Sequence, residues 1–344
     1  MKTVTFTIWL TLLVGVVVEP GLAGAGNRAG TGGASELMIP TGTRDIAMGG
    51  STIATTSGIE ALFWNPAGVS RLNHSASVYI SHMSYIADIG VDYGAVAANF
   101  EGFGVVSLSL KSLTIGDIPV TTTQNPDGTG QNFTPQFFTA GLTYSRSLSD
   151  RIAVGLTTNY VSERMGDVSA SGVAFSVGVI YDNLGSVDGL SLGVTVKNIG
   201  PQMKFEGPGL NTLATVSNLT RGPNYLKVDA AAFELPSSIE FGLGYRTSFA
   251  GENALLLSTT FQNNNFSDDE YKLGAEYSFQ NTLFLRGGYN MAQEESDQRK
   301  YLFGATVGGG VHAMVGSLDI TVDYAFRSTE FLEDNHIFSV KLGF

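Results

Sequence analysis

Segment after segment of this 344-residue chain alternates apolar and polar residues with a period of two. Across residues 317–327, Leu318, Ile320, Val322, Tyr324 and Phe326 fall on one face, and Ser317, Asp319, Thr321, Asp323 and Arg327 on the other. Successive strand side chains point to opposite sides of a sheet, whereas a helix of 3.6 residues per turn would mix the two sets. The same two-sided pattern runs through residues 138–145, 151–160, 173–182, 238–246 and 271–278. Read to its end, the chain is expected to form 14 strands, beginning near residues 76, 90, 103, 136, 151, 170, 189, 237, 253, 270, 281, 299, 315 and 335. Most span about 10–13 residues, longer than the five or six of ordinary strands and close to the 9–11 or so that a tilted strand needs to cross a bilayer.

A soluble sandwich or propeller also has alternating strands, but it must bury the second face. Here that face carries Gly, Ser, Thr and charged residues, which an apolar core would leave unpaired at a cost. A closed barrel resolves the conflict: the apolar face meets lipid, the polar face lines a lumen, and closure pairs every edge. The fold class expected is therefore all-β, a transmembrane antiparallel barrel of about 14 strands. Connector lengths point the same way. Connectors after odd strands include long segments near 115–135 and 200–235 and polar tips at 263–269 and 292–298, with the short link 87–90 as an exception. Those after even strands are tight, as at 101–102, 149–150, 250–251 and 280–281. Bacterial outer-membrane barrels have this asymmetry of short periplasmic turns and longer outer loops. His336, Phe338, Val340, Leu342 and Phe344 share one face of the last strand, and a terminal aromatic there resembles the recognition signal of such barrels. Glycine, at 43 residues against an expected 24 or so, fits inward positions that make room for a plug.

Residues 1–25 read as an export signal: Lys2, a 13-residue apolar core at 6–18, and Ala23-Gly24-Ala25 as cleavage site. That core is too short for a transmembrane helix of about 20 residues. The domain reading is thus signal peptide 1–25, N-terminal segment and hatch 26–74, and transmembrane barrel 75–344. The net charge of −12 argues against nucleic acid as a partner. With no cysteine, disulfides, thiolate metal sites and thiol enzymes are excluded.

Residues 35–73 do not alternate. They carry Gly42-x-Arg44, Ala47-Met48-Gly49-Gly50 and Ala61-Leu62-Phe63-Trp64-Asn65-Pro66-Ala67-Gly68. Together with the stretch from Gly166 to Phe175 and Val196-Lys197-Asn198-Ile199-Gly200-Pro201, this pattern resembles the PorV/PorQ family, within the wider FadL-like outer-membrane barrels. The resemblance covers most of the chain beyond the signal. It departs at Thr55-Thr56-Ser57-Gly58, where relatives often carry acidic residues. It implies a 14-stranded barrel in the bacterial outer membrane, its N-terminal segment folded into the lumen as a hatch. The hatch residues would be Gly42, Arg44, Met48, Gly49, Gly50, Trp64, Asn65, Pro66, Ala67 and Gly68. Paired glycines let backbone turn tightly, Pro66 stops an element, and Asn65 can form a local side-chain turn. Arg44, a cation inside a barrel, needs partners; the inward carboxylates offered are Glu240, Glu276, Asp319 and Asp323, balanced by Arg151, Lys197, Arg246, Lys272, Arg286 and Arg327.

Chemistry is sparse. His74, His82, His312 and His336 lack metal-ligand spacing, and no nucleophile elbow or P-loop is present, so neither enzyme, metal nor cofactor is expected. Carboxylates at Asp268-Asp269-Glu270 and at Glu294, Glu295 and Asp297 read as solvated loop tips. Two functions are implied by resemblance. A PorV-like protein would act in type IX secretion, with 115–135 and 200–235 docking secreted-protein C-terminal domains or other secretion components. A FadL-like protein would transport hydrophobic small molecules, with Met203, Phe205, Leu210 and Leu213 lining an outer-loop pocket. Either one meets outer-membrane lipid.

Overall fold

The computed structural model describes residue 28 and residues 30–215, 222–249, 252–292 and 301–344. The expected export signal, the 250–251 turn and the carboxylates Glu294, Glu295 and Asp297 lie outside the described residues. Fourteen strands form one closed barrel: β1 (Ala76–Ser84), β2 (Gly90–Phe100), β3 (Gly104–Thr114), β4 (Gln136–Ser147), β5 (Ile152–Met165), β6 (Val168–Asp182), β7 (Leu190–Ile199), β8 (Ser238–Phe249), β9 (Asn253–Asn264), β10 (Glu270–Phe279), β11 (Leu283–Ala292), β12 (Phe303–Val315), β13 (Leu318–Thr329) and β14 (Asn335–Gly343). Each pairs antiparallel with its chain neighbours, and β14 closes on β1 from Ser77↔Gly343 to Ser84↔His336. The starts expected from periodicity fall within four residues of those observed, the largest offset being β12.

The wall reverses the rule of soluble proteins. Ile80 and Leu285 on the outer face are 63% and 67% exposed, while Glu240 and Asp323 on the inner face are 1% and 2% exposed. Exposed apolar surface on this scale belongs in hydrocarbon, because each square ångström left in water forgoes about 25 cal/mol. No helix among the described residues is long and apolar enough to cross a membrane; the strands make the crossing.

Most connectors sort by end, but the base connector 183–189 is longer than several of the outer ones. Besides the short link at 85–89, the β5–β6 connector at 166–167 on the outer rim is a tight turn with Gly166 at φ 56°. β5 and β6 are the longest strands, at 14 and 15 residues, so their hairpin stands above the rim and takes the place of a loop. The outer connector 200–237 folds into two small hairpins, Asn211–Ala214 with Asn224–Lys227 and Met203–Lys204 with Ala232–Phe233.

The segment ahead of β1 runs the length of the bore, from outer mouth to periplasmic base. At the mouth, Arg28 pairs with Glu234 at 2.8 Å and the Gly33 N–H donates to the Glu234 carbonyl. At the base, Arg71 pairs with Asp182 at 2.5 Å, and the Ser75 N–H donates to the Phe344 carbonyl. Between them lie α1 (Thr43–Ala47), α2 (Ala61–Trp64) and short 3₁₀ segments. The helices stay short for local reasons. Gly49 and Gly50 turn left-handed after α1, with φ 66° and 70°. Pro66 starts a new turn after α2, where the Asn65 side-chain oxygen accepts from the Ala67 N–H at 3.0 Å.

Candidate functional site

The candidate site is the contact between this plug and the inner wall, together with the mouth above it. Apolar packing supplies the first layer. Ile59, Leu62 and Val69 of the plug pack with Tyr79, Tyr93, Ala95 and Val105 of β1–β3, and Ile46 and Trp64 with Met83, Val91 and Ile337. Inward glycines supply the second. An added Cβ at Gly155, Gly178, Gly193, Gly274, Gly288 or Gly308 would run into plug atoms of Pro66, Asn65, Ile53 and Ala54, Met48, Gly49 or Ala47. The wall is carved to the plug's backbone, as the glycine excess anticipated.

Polar bonds fix the register. The Trp64 indole N–H donates to the Thr41 carbonyl at 2.7 Å, and the Asn65 amide donates to Ile53 and Val179 carbonyls at 2.7 and 3.3 Å. The Thr43 N–H donates to the Tyr79 hydroxyl at 2.9 Å, and Thr306 Oγ1 to the Ala47 carbonyl at 2.9 Å. Met48, Pro66, Ala67 and Gly68 are buried, and Gly42, with φ 93°, precedes α1 where a Cβ would press on the Trp64 ring nitrogen. The expected hatch residues therefore form one contiguous unit in the bore.

Arg44 finds one of its four offered partners. Its Nε and Nη2 donate to Glu276 at 2.8 and 3.0 Å, with Asp45 at 3.4 Å. Glu276 also accepts from Arg286 Nε at 2.7 Å and lies 3.8 Å from Arg246. The other three carboxylates have other partners: Glu240 has Lys197 at 2.8 Å, Asp323 has Arg286, and Asp319 has the imidazoles of His74 and His312, each at 3.1 Å. Asp319 sits at the periplasmic base, so it is a rim group rather than a lumen charge. Arg151 is likewise exposed in a base turn instead of facing the bore. Lys272 pairs with Glu270 at 3.0 Å, and Arg327 donates to Asn335 while lying over the Phe303 ring. His82 and His336 face outward and bond Asp92 and Tyr324.

Sequence reasoning passes over Asp45, Glu60, Lys111 and Lys341. Glu60 pairs with Lys341 at 2.6 Å, tying the plug to the last strand. Burial opposes the Glu60 charge, but Lys341 and Arg44 outweigh it and hold this carboxyl below its ordinary value. Burial pushes Asp45 up to about 6 in spite of Arg44, and Thr56 of the non-acidic stretch donates to it at 3.1 Å. Burial, with Glu163 alongside, pushes Glu36 up to about 8. The sign follows from linkage. A carboxyl whose folded value is raised contributes stability below its unfolded value, and that contribution is lost as pH climbs through the folded one. Asp45 and Glu36 together make the docked plug firmest near pH 4.5 and progressively weaker toward pH 8. Thermal unfolding followed by Trp64 fluorescence should drop by several degrees across that window, and Glu36→Gln should remove the upper part of the drop. A flat profile would refute the assignment.

Of the four residues expected to line an outer-loop pocket, Met203 and Phe205 are brought together, and Leu210 and Leu213 are not. Met203 is buried with Ala34, Leu37, Val161 and Leu235, and Phe205 packs on that cluster against Phe233 at 5.5 Å between ring centres. Leu210 lies at the foot of the outer hairpin, its carbonyl accepting from Val228, and Leu213 points away, 60% exposed. A hairpin that leaves the mouth carries alternate side chains apart, which separates residues that are close in sequence. Below this cap, a lumen cavity of about 50 Å³ is lined by Leu37, Phe63, Lys111, Thr139, Asn159 and Lys197, among others. A space of about 380 Å³ at the outer rim is lined by Tyr289, Met291, Tyr301 and Phe303, among others.

A family model described as type IX secretion system protein PorV matches residues 23–240. No curated protein matches the chain. Among solved structures, the toluene transporter TodX of Pseudomonas putida aligns with a TM-score of 0.58 at 13% identity, covering 89% of this chain and 99% of that one. The monoaromatic hydrocarbon channel CymD aligns at 0.53 and 13%, covering 88% and 97%. A FadL homologue of Pseudomonas aeruginosa aligns at 0.50 and 12%, covering 88% and 98%. At such identities the likeness is one of fold.

Proposed function

The chain belongs to the family of the type IX secretion system protein PorV, and on that premise we propose that this outer-membrane barrel serves protein secretion by holding a secreted protein's C-terminal domain, or another secretion component, against its outer loops. In this reading residues 1–25 are removed on export, 26–74 are a structural hatch, and 75–344 are a barrel that presents the loops. The hatch residues from Gly42 to Gly68, with the lumen carboxylates Glu240, Glu276 and Asp323, keep the bore shut while the loops work.

The closed bore carries the proposal. A cavity of about 50 Å³ is far below the 150 Å³ or so that holds a single benzene ring, and the plug is bonded to the wall at mouth, middle and base. Binding surface lies instead outside, where Tyr225 and Leu213 of the outer hairpin are 78% and 60% exposed and Phe331 and Leu332 stand out on the β13–β14 connector. Exposed apolar side chains rimmed by polar ones are the usual mark of a protein contact. Deleting residues 200–235 should abolish co-purification with a secreted protein's C-terminal domain while leaving the heat-modifiable gel shift of an intact barrel. Retained co-purification would overturn the reading.

The second reading, passage of hydrophobic small molecules, is favoured by the fold likeness and by the rim space beside Tyr289 and Tyr301, which has room for an aromatic ring. It requires the hatch to move, and it predicts that a hydrocarbon competes for the purified barrel while a secreted domain does not.

A further inference from the structure

We infer that the lumen cavity under the mouth binds a small monovalent inorganic anion, of chloride size, at the Lys111 ammonium. Lys111 is buried on the inner face of β3. Its Nζ donates to the Glu36 and Ile39 carbonyls at 2.6 and 3.0 Å, leaving one of its three protons for the cavity. Lys197, the second ammonium lining the space, is neutralised by Glu240 at 2.8 Å, whereas Lys111 bonds only neutral oxygens. The two ammoniums lie 5.3 and 4.9 Å from the centre of the Phe63 ring.

A hydroxyl donor completes the site. Thr139, the register partner of Lys111 on β4, and Thr41 of the plug both line the cavity and are buried; the Thr139 hydroxyl has no partner among the described residues, while that of Thr41 meets the Tyr93 hydroxyl. Gly141 makes the room, since a Cβ there would stand 2.5 Å from Ser109 Oγ and 2.7 Å from Asn159 Oδ1. The volume of about 50 Å³ takes an ion and a water, one water claiming about 30 Å³ of liquid, and excludes an alkyl chain. The titratable groups facing Lys111 are Glu36 and Glu163, side by side and buried, Tyr93, and the Lys197–Glu240 pair. Burial holds Glu36 protonated at neutral pH, so it supplies no counter-charge there. A buried ammonium whose charge no carboxylate balances is costly, and an anion held by it and by the Thr139 hydroxyl removes that cost.

Crystals of the full barrel grown in bromide test this directly. Anomalous density within hydrogen-bonding distance of Lys111 Nζ is expected in the wild type and should vanish in Lys111→Met. In solution, chloride should raise the unfolding temperature above that in sulfate of equal ionic strength, and Thr139→Val should raise the half-saturating chloride concentration about tenfold, the worth of one charge-assisted hydrogen bond. Thr139→Val keeps the test open should Lys111→Met fail to fold. Bromide density confined to the outer surface, or chloride and sulfate acting alike, would overturn the inference.

Discussion

Replacing Glu276 with leucine is expected to cost the barrel about 3–5 kcal/mol, the largest loss from any single lumen residue, because it strands cations rather than removing one contact. Glu276 is buried on β10 and bonds Arg44 twice and Arg286 once, with Arg246 nearby. After substitution Arg286 keeps Asp323, but Arg44 keeps only Asp45 at 3.4 Å, whose raised value already shows an environment hostile to charge. The loss should fall most heavily on the plug. Adding Arg44→Met to Glu276→Leu should therefore recover much of it, since removing both charges of a buried pair is far cheaper than removing one. Urea unfolding of the four proteins in lipid vesicles closes the cycle. A loss in the double variant equal to the sum of the two single losses would show that Arg44 and Glu276 are not coupled.

Filling an inward glycine should unseat the plug without breaking the wall. Gly288 faces the bore where the backbone of Met48 and Gly49 passes, and Gly178 faces Asn65 and Pro66. Leucine at either position meets backbone or a bonded amide, so the usual 1–3 kcal/mol or so of overpacking cannot be relieved by a rotamer change. The strand itself tolerates the side chain, because its neighbours on the wall stay paired. We expect Gly288→Leu to assemble as a barrel and to give current steps in planar bilayers where the wild type is silent. Trp64 emission should shift to longer wavelength as its burial is lost; Trp9, the other tryptophan, lies in the expected signal. Gly94→Leu is the control, since Gly94 has open space around it and faces outward. Silence in Gly288→Leu with unchanged Trp64 emission would mean that the plug adapts.

The barrel was legible because each wall strand serves two solvents at once. Lipid outside and a polar plug inside impose a period of two over ten or more residues, a signal that few other folds sustain. The plug was legible as the stretch where that period stops. Ion-pair choice was not, because it depends on which strands face each other across the bore. Asp319 and Asp323 share a face and look equivalent, yet four residues along β13 separate a base-rim group bonded to histidines from a lumen group bonded to Arg286. Lys111 and Lys341 carried a usable sign, since both fall on the inward set of their strands. The placement of Met203, Phe205, Leu210 and Leu213 was not legible, because residues 203–213 bend through two hairpins, and no short-range pattern fixes how those lie on the mouth.

One consequence follows from the plug's path. The ring encircles its own polypeptide, anchored above by Arg28 on Glu234 and leading below into β1. A trapdoor dropping whole into the periplasm is therefore forbidden by topology unless the upper tether is first drawn down through the bore. A plug laid in before the gap between first and last strands zips shut avoids that threading, and in such an order Glu60 and Lys341, 281 positions apart, are among the last pairs to meet.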